Sequence, residues 1–196
     1  MNPYRLLRAT FWSLLFLGSA STALVAQSDY QNEAYLEQVG DLNEIVVIQR
    51  NAEKQNSAVA RQLGEGNRAE LEQVQSFLGD EANRMNLVQS GHQNAAKMRQ
   101  DGSGNHSSAN QYGNQNDFEL DILGDKNRSF LLQSGNNNSV FQELTGDELN
   151  YSVIQRGNNL EVVQIENGER AKSYEIQQRG NGMKIIIVNG GLPGTP

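Results

Sequence analysis

The chain has 196 residues, no cysteine and a formal charge of −7. This excludes a disulfide scaffold, a thiol nucleophile and cysteine-ligated metal sites, and gives no overall pull towards nucleic acid. Only 37% of residues are hydrophobic and 7% aromatic, with 19 glycines and abundant Asn and Gln, so the composition departs from that of an ordinary packed globule and points to a repetitive polymer.

The first element reads as a secretory leader over 1–26. Arg5 and Arg8 precede an apolar run containing Phe11, Trp12, Leu14, Leu15, Phe16 and Leu17, and small residues follow from Gly18 to Ala23. The run is interrupted by Ser13 and by Gly18–Thr22, which argues against a membrane anchor needing roughly 20 apolar residues. Cleavage after Ala23 or after Ala26 fits equally. The leader carries two arginines and no acid, so the remaining chain is the more acidic part.

From Gln27 to Asn189 one unit recurs, with glutamine at position 0, glycine at +2, asparagine at +5 and glutamine again at +11. Segments 38–49 (QVGDLNEIVVIQ), 62–73 (QLGEGNRAELEQ), 89–100 (QSGHQNAAKMRQ) and 100–111 (QDGSGNHSSANQ) show it clearly. The asparagine column is Asn32, Asn43, Asn56, Asn67, Asn83, Asn94, Asn105, Asn116, Asn127 and Asn138, after which Leu149, Leu160, Ala171 and Met183 take the place. The glycine column is Gly40, Gly64, Gly91, Gly102, Gly113, Gly124, Gly135, Gly146, Gly157, Gly168 and Gly180, with Asn51 substituting once and Gly79 displaced in a long unit. The glutamine column is Gln38, Gln49, Gln62, Gln73, Gln89, Gln100, Gln111, Gln133 and Gln155. Ile122, Leu144, Glu166 and Gln177 continue its spacing.

Each asparagine opens a short strand, since positions +5, +7, +9 and +11 share one face and +6, +8 and +10 the other. Asn43, Ile45, Val47 and Gln49 make the dry face of one such strand, and Glu44, Val46 and Ile48 its outer face. An 11-residue period also suits a right-handed helical coiled coil. The recurrent glycines, at roughly 1 kcal/mol each in a helix, and the period-two alternation exclude it.

The expected fold is therefore all-β: a β-solenoid, or cross-β stack, of strand–arch–strand rungs built from paired 11-residue half-repeats. About seven rungs would stand roughly 34 Å tall at the cross-β spacing. Glycine at +2 gives the arch its backbone freedom. Stacked amides form ladders, each donating to one neighbouring rung and accepting from the other, which offsets their burial. A short Gly/Pro tail, 190–196, closes the chain with Pro193 and Pro196 as strand breakers.

With this register the repeats resemble the curlin family, the subunits of curli amyloid fibres. Gln62, Gly64, Asn67, Ala69 and Gln73, or Gln89, Gly91, Asn94, Ala96 and Gln100, carry the likeness, which extends over about 27–189. The resemblance implies export through the periplasm, passage through a curli pore with accessory secretion proteins, and polymerisation at the bacterial cell surface with a homologous subunit or nucleator. It implies matrix fibres serving adhesion and biofilm formation. The Gln49–Gln62 interval of 13 and the Gln73–Gln89 interval of 16 depart from the family's cleaner pattern, so major, nucleator and accessory roles stay open.

Terminal rungs expose unpaired backbone groups and invite strand addition by another copy, unless capped as in a monomeric β-solenoid surface adhesin. Ile185, Ile186, Ile187 and Val188 form the strongest apolar segment, a candidate terminal assembly strand, with Ile154, Ile165 and Ile176 expected on the outer face before it. A more apolar closing rung explains them equally well. Outward charges including Glu44, Glu53, Arg61, Arg68, Glu70, Glu72, Arg84 and Lys97 serve as gatekeepers against lateral aggregation or as ordinary solvated groups.

No enzyme is expected. His92 and His106 lack a third ligand, adjacent Asp80 and Glu81 do not span a substrate, and no G-x-S-x-G elbow occurs. Gly102 and Gly104 belong to the repeat and have no phosphate-loop Lys-Ser/Thr after them. No cofactor, metal, nucleic-acid partner or integral membrane span after leader removal is expected.

Overall fold

The computed structural model describes residues 10–11, 16–17, 20–27, 32–51, 54–75, 81–168 and 173–190. The period-two alternation becomes paired strands. One sheet contains β4 (Glu33–Val39), β6 (Ser57–Glu65), β8 (Arg84–His92), β10 (His106–Asn114), β12 (Arg128–Asn136), β14 (Asn150–Asn158) and β16 (Ser173–Asn181). The other contains β5 (Asn43–Arg50), β7 (Arg68–Val74), β9 (Ala95–Asp101), β11 (Asp117–Leu123), β13 (Ser139–Thr145), β15 (Glu161–Asn167) and β17 (Lys184–Asn189). Each rung takes one strand from each sheet, and every strand pairs in parallel with its counterpart one rung away. The result is a seven-turn parallel β-solenoid.

Near the N-terminus, β1 (Thr10–Phe11) and β2 (Phe16–Leu17) pair with β4, and β3 (Ala20–Gln27) pairs with β5. These three strands thus lie along the first rung. The tail beyond Gly190, together with Glu53, Gly79, Asp80 and Ala171, falls outside the described residues.

The core is the thin space between the sheets. Ile45, Val47, Leu71, Leu87, Met98, Leu120, Leu131 and Val153 fill it, flanked on both sides by buried amides. The expected inward and outward faces hold along the stack, as the alternating burial of Asn43–Arg50 illustrates. Ile122, Leu144 and Glu166, which break the glutamine column, stay buried in it.

The final rung differs from the expectation. Gln178 pairs with Gln155 and so occupies the glutamine column in place of Gln177. Ile176 pairs with Val153 and is 6% exposed, inside the core instead of on the outer face with Ile154. One extra residue before β16 shifts the register by one, and in a strand a single step reverses every side chain. The glycine column also needs amendment: Gln75, whose N–H donates to Arg50 O as that of Gly102 does to Val74 O, holds the place assigned to the displaced Gly79.

Candidate functional site: amide ladders and terminal rungs

The glutamines of the first sheet form one continuous ladder. Nε2 of Gln38 donates to Oε1 of Gln62 at 2.9 Å, and the same bond repeats through Gln89, Gln111, Gln133 and Gln155 to Gln178. Each internal Nε2 also reaches a strand carbonyl, as Gln111 does at Ala95 O, 2.8 Å. These side chains are between 0% and 2% exposed. Their amides are therefore satisfied only through neighbouring rungs. In the second sheet the ladder runs from Gln49 through Gln73 to Gln100, where the hydroxyl of Ser107 accepts the last proton.

The asparagines do more than the sequence indicates. They divide into two columns, Asn32, Asn56, Asn83, Asn105 and Asn127 on one side, and Asn43, Asn67, Asn94, Asn116 and Asn138 on the other. Each Oδ1 accepts the backbone N–H of the residue stacked on it. From Asn43 and Asn83 onwards, Nδ2 donates to the carbonyl of the arch glycine in the next rung, at 2.8 Å from Asn94 to Gly113 O and 2.7 Å from Asn105 to Gly124 O. The amide thus clamps the arch to the strand. Where Leu149 and Leu160 replace asparagine, their N–H groups still donate to Asn127 and Asn138.

The arch glycines from Gly40 to Gly157 have φ between +106° and +138°. Their stacking adds a second demand. A Cβ on Gly113 would lie 2.0 Å from the carbonyl oxygen of Gly135 in the next rung, so only hydrogen fits. Gly168 lacks the positive φ of the others. A second left-handed position two residues on is taken by Leu42, Gln93, Gln115, Lys126, Asn137, Glu148 and Asn159 as well as by Gly66, Gly104 and Gly182.

Several ladders are additional to those read from the repeat. Asn114, Asn136 and Asn158 accept backbone N–H groups across the outside of one arch, and Asp125 and Asp147 do so on the other. In the core, Nε2 of Gln142 donates to Gln164 at 2.7 Å, and Gln164 donates to the Tyr174 hydroxyl at 3.0 Å. That hydroxyl donates to the buried Glu166 carboxylate, which also accepts Asn189 at 2.9 Å. Burial, aided by the Glu166 charge, raises the pKa of both Tyr151 and Tyr174.

The outward charges pair between rungs. Glu44 meets Arg68 at 3.0 Å, Glu37 meets Arg61 at 2.7 Å, and Lys97 meets Glu119 at 3.6 Å. Arg99 spans Glu72 and Asp121. Parallel stacking places in-register residues on top of one another, and alternation of sign along these columns relieves like-charge repulsion. His92 sits 3.9 Å from Glu65, whereas His106 lies in a different column between Arg84 and Arg128.

The two ends are distinct. At the first rung, Oε1 of Gln38 is buried and has no hydrogen-bond donor among the described residues. At the last, the two N–H groups of Gln178 Nε2 donate to the carbonyls of Glu161 and Met183, the second taking the place that a following glutamine fills in the internal rungs. Ile185 and Ile187 point inward and are half-buried, while Ile186 and Val188 point outward and are 60% and 47% exposed. The candidate assembly segment is thus divided between an uncovered core edge and an exposed face.

Among the described residues no helix is long and apolar enough to cross a membrane. No protein-family model, curated protein or solved structure matches the chain. Its architecture is that of a repetitive structural β-solenoid, the general fold class to which curli-type subunits belong.

Proposed function

We propose that this chain is a structural, non-catalytic subunit of an extracellular curli-like fibre, exported by its N-terminal leader and polymerised by strand addition at its terminal rungs. Its fibres would support cell adhesion and the biofilm matrix at the bacterial surface. The carrying observation is the uncompleted glutamine ladder at the first rung: Gln38 Oε1 has no donor among the described residues, whereas Oε1 of each later glutamine in the column accepts one from the glutamine before it. A second copy stacked on the first rung would supply Gln38 with its donor, Gln178 Nε2 exchanging its bond to Met183 O for one to Gln38 Oε1.

The rung sequences support this joint. In the internal register, Gln178 of one copy would meet Gln38 of the next, Gly180 would meet Gly40, and Ile185 and Ile187 would cover Ile45 and Val47. Lys184 would meet Glu44, continuing the alternation of sign. Before export, β1, β2 and β3 lie along the rung that the next copy needs.

The test is X-ray fibre diffraction from the chain without residues 1–26. Reflections at about 4.7–4.8 Å and about 10 Å are expected. A persistently soluble, folded monomer refutes unaided polymerisation and leaves the capped adhesin or a subunit whose growth requires a nucleator. In seeded growth, Gln38→Leu should slow elongation roughly fivefold to tenfold, the effect of about 1 kcal/mol or slightly more at the joint. Unchanged elongation rejects the proposed joint even where fibres form.

A further inference from the structure

The outer face of the first sheet carries a charge pattern unlike that of the second. Arg84, His106 and Arg128 stack directly on consecutive rungs. They lack the alternation that neutralises the Glu44–Arg68, Glu70–Lys97–Glu119 and Glu72–Arg99–Asp121 columns. From Arg84 to Arg156, the residues facing outward from β8, β10, β12 and β14 include no carboxylate. Among the described residues no acidic side chain forms an ion pair with Arg84 or Arg128, although Glu81 shares with Arg84, His106 and Arg128 a second, smaller cavity of about 280 Å³. Three basic groups at a spacing of about 4.8 Å would repel one another when charged, an arrangement that an external anion relieves.

The column borders an open groove of about 450 Å³. Asn86, Ser108 and Asn150 add hydrogen-bonding groups beside it, and the Phe130 ring is 39% exposed. The groove runs along the stack, with Ser57, Arg84, His106, Arg128 and Asn150 following one another on successive rungs.

We propose that the Arg84–His106–Arg128 column binds a linear acidic polysaccharide, a polyuronate, along the solenoid axis. An extended polyuronate repeats one carboxylate per sugar, a period of the same order as the rung spacing. Guanidinium forks suit carboxylates, the amides and hydroxyls meet sugar hydroxyls, and the phenyl face covers an apolar sugar face. A single-stranded nucleic acid is the less suitable occupant, because successive bases require successive aromatic platforms and this groove offers one ring. The chain's formal charge of −7 opposes any polyanion, so binding depends on this local column.

Fluorescence anisotropy with a labelled polymannuronate oligomer tests the assignment on the folded chain, with circular dichroism confirming retained strand structure. Binding should weaken steeply with salt. Arg84→Gln with Arg128→Gln should weaken it at least thirtyfold. Arg68→Gln with Arg99→Gln removes the same charge from the ion-paired face and should alter it less than threefold. Burial and the flanking arginines lower the His106 pKa, and bound oligomer should raise it in a titration followed by NMR. Absence of binding, equal losses in the two double variants, an unmoved His106 titration, or tighter binding of oligo-dT than of the oligouronate would each overturn the proposal. This test depends on the folded solenoid alone, so its outcome is separable from that of fibre diffraction.

Discussion

Replacing Asn94 and Asn105 by leucine removes the arch clamps from two consecutive rungs while keeping the core filled. Asn94 is fully buried, and its side chain donates to Asn67 Oδ1 at 3.0 Å and Gly113 O at 2.8 Å while accepting the Asn116 N–H at 3.1 Å and Nδ2 at 3.0 Å. After Asn94→Leu, Asn67 Oδ1 keeps the backbone N–H of residue 94, and Asn116 Nδ2 keeps Gly135 O. The Asn116 N–H is left without its acceptor. An orphaned buried N–H costs about 1–3 kcal/mol and the lost bond to the glycine carbonyl about 1 kcal/mol, so the substitution should cost about 2–4 kcal/mol. Asn105 loses the matching bonds from Asn127 N and to Gly124 O, for a similar cost. The exposed ion pairs of Arg68 and Lys97 are worth at most about 1 kcal/mol each. A guanidinium titration of the strand circular-dichroism signal should therefore separate Asn94→Leu/Asn105→Leu from Arg68→Gln/Lys97→Gln by several kcal/mol. Seeded growth should rank them in the same order. Equal losses would refute the clamp.

Two further outcomes follow from the arches and the buried tyrosines. Gly113→Ala, at φ +109° with a carbonyl oxygen 2.0 Å from the new methyl, should disrupt stacking, whereas Gly66→Ala, at φ +66° with its nearest neighbour at 3.5 Å, should cost only about 1–2 kcal/mol in the same titration. The raised Tyr151 and Tyr174 pKa values keep both hydroxyls protonated in the folded chain after the unfolded chain begins to ionise near pH 10. Their contribution is thus complete below that pH and is lost as pH rises towards the folded values. Alkaline denaturation should begin there, and Tyr151→Phe should reduce its steepness.

The repeating columns were legible because every rung poses the same geometric problem, and Asn, Gln and Gly answer it at fixed positions. The unseen features have particular causes. The Gln177–Gln178 pair offers two equivalent registers to a reader counting by 11, and only pairing with Gln155 selects the second. Asn114, Asn136 and Asn158 recur at 22 residues, on one arch of each full turn, so a half-turn period hides them. Reading at the full-turn period would have found them. The Gln142–Gln164 bond has a similar origin, since an amide takes a place that Leu131 and Val153 hold in the opposite sheet. Non-glycine residues at the second left-handed position have no common side-chain chemistry to mark them.

The Gln38-to-Gln178 ladder and the backbone bonds between rungs all run along the stacking axis. Tension along that axis therefore acts on every bond between two rungs together, and none can fail one residue at a time while the pull stays aligned. Inside a chain, the covalent arch also spans each gap. Between chains that stack in the same register, it does not. Under stretch, such a filament would part at chain boundaries, and the seven-rung length of each subunit would set the interval between its breaking points.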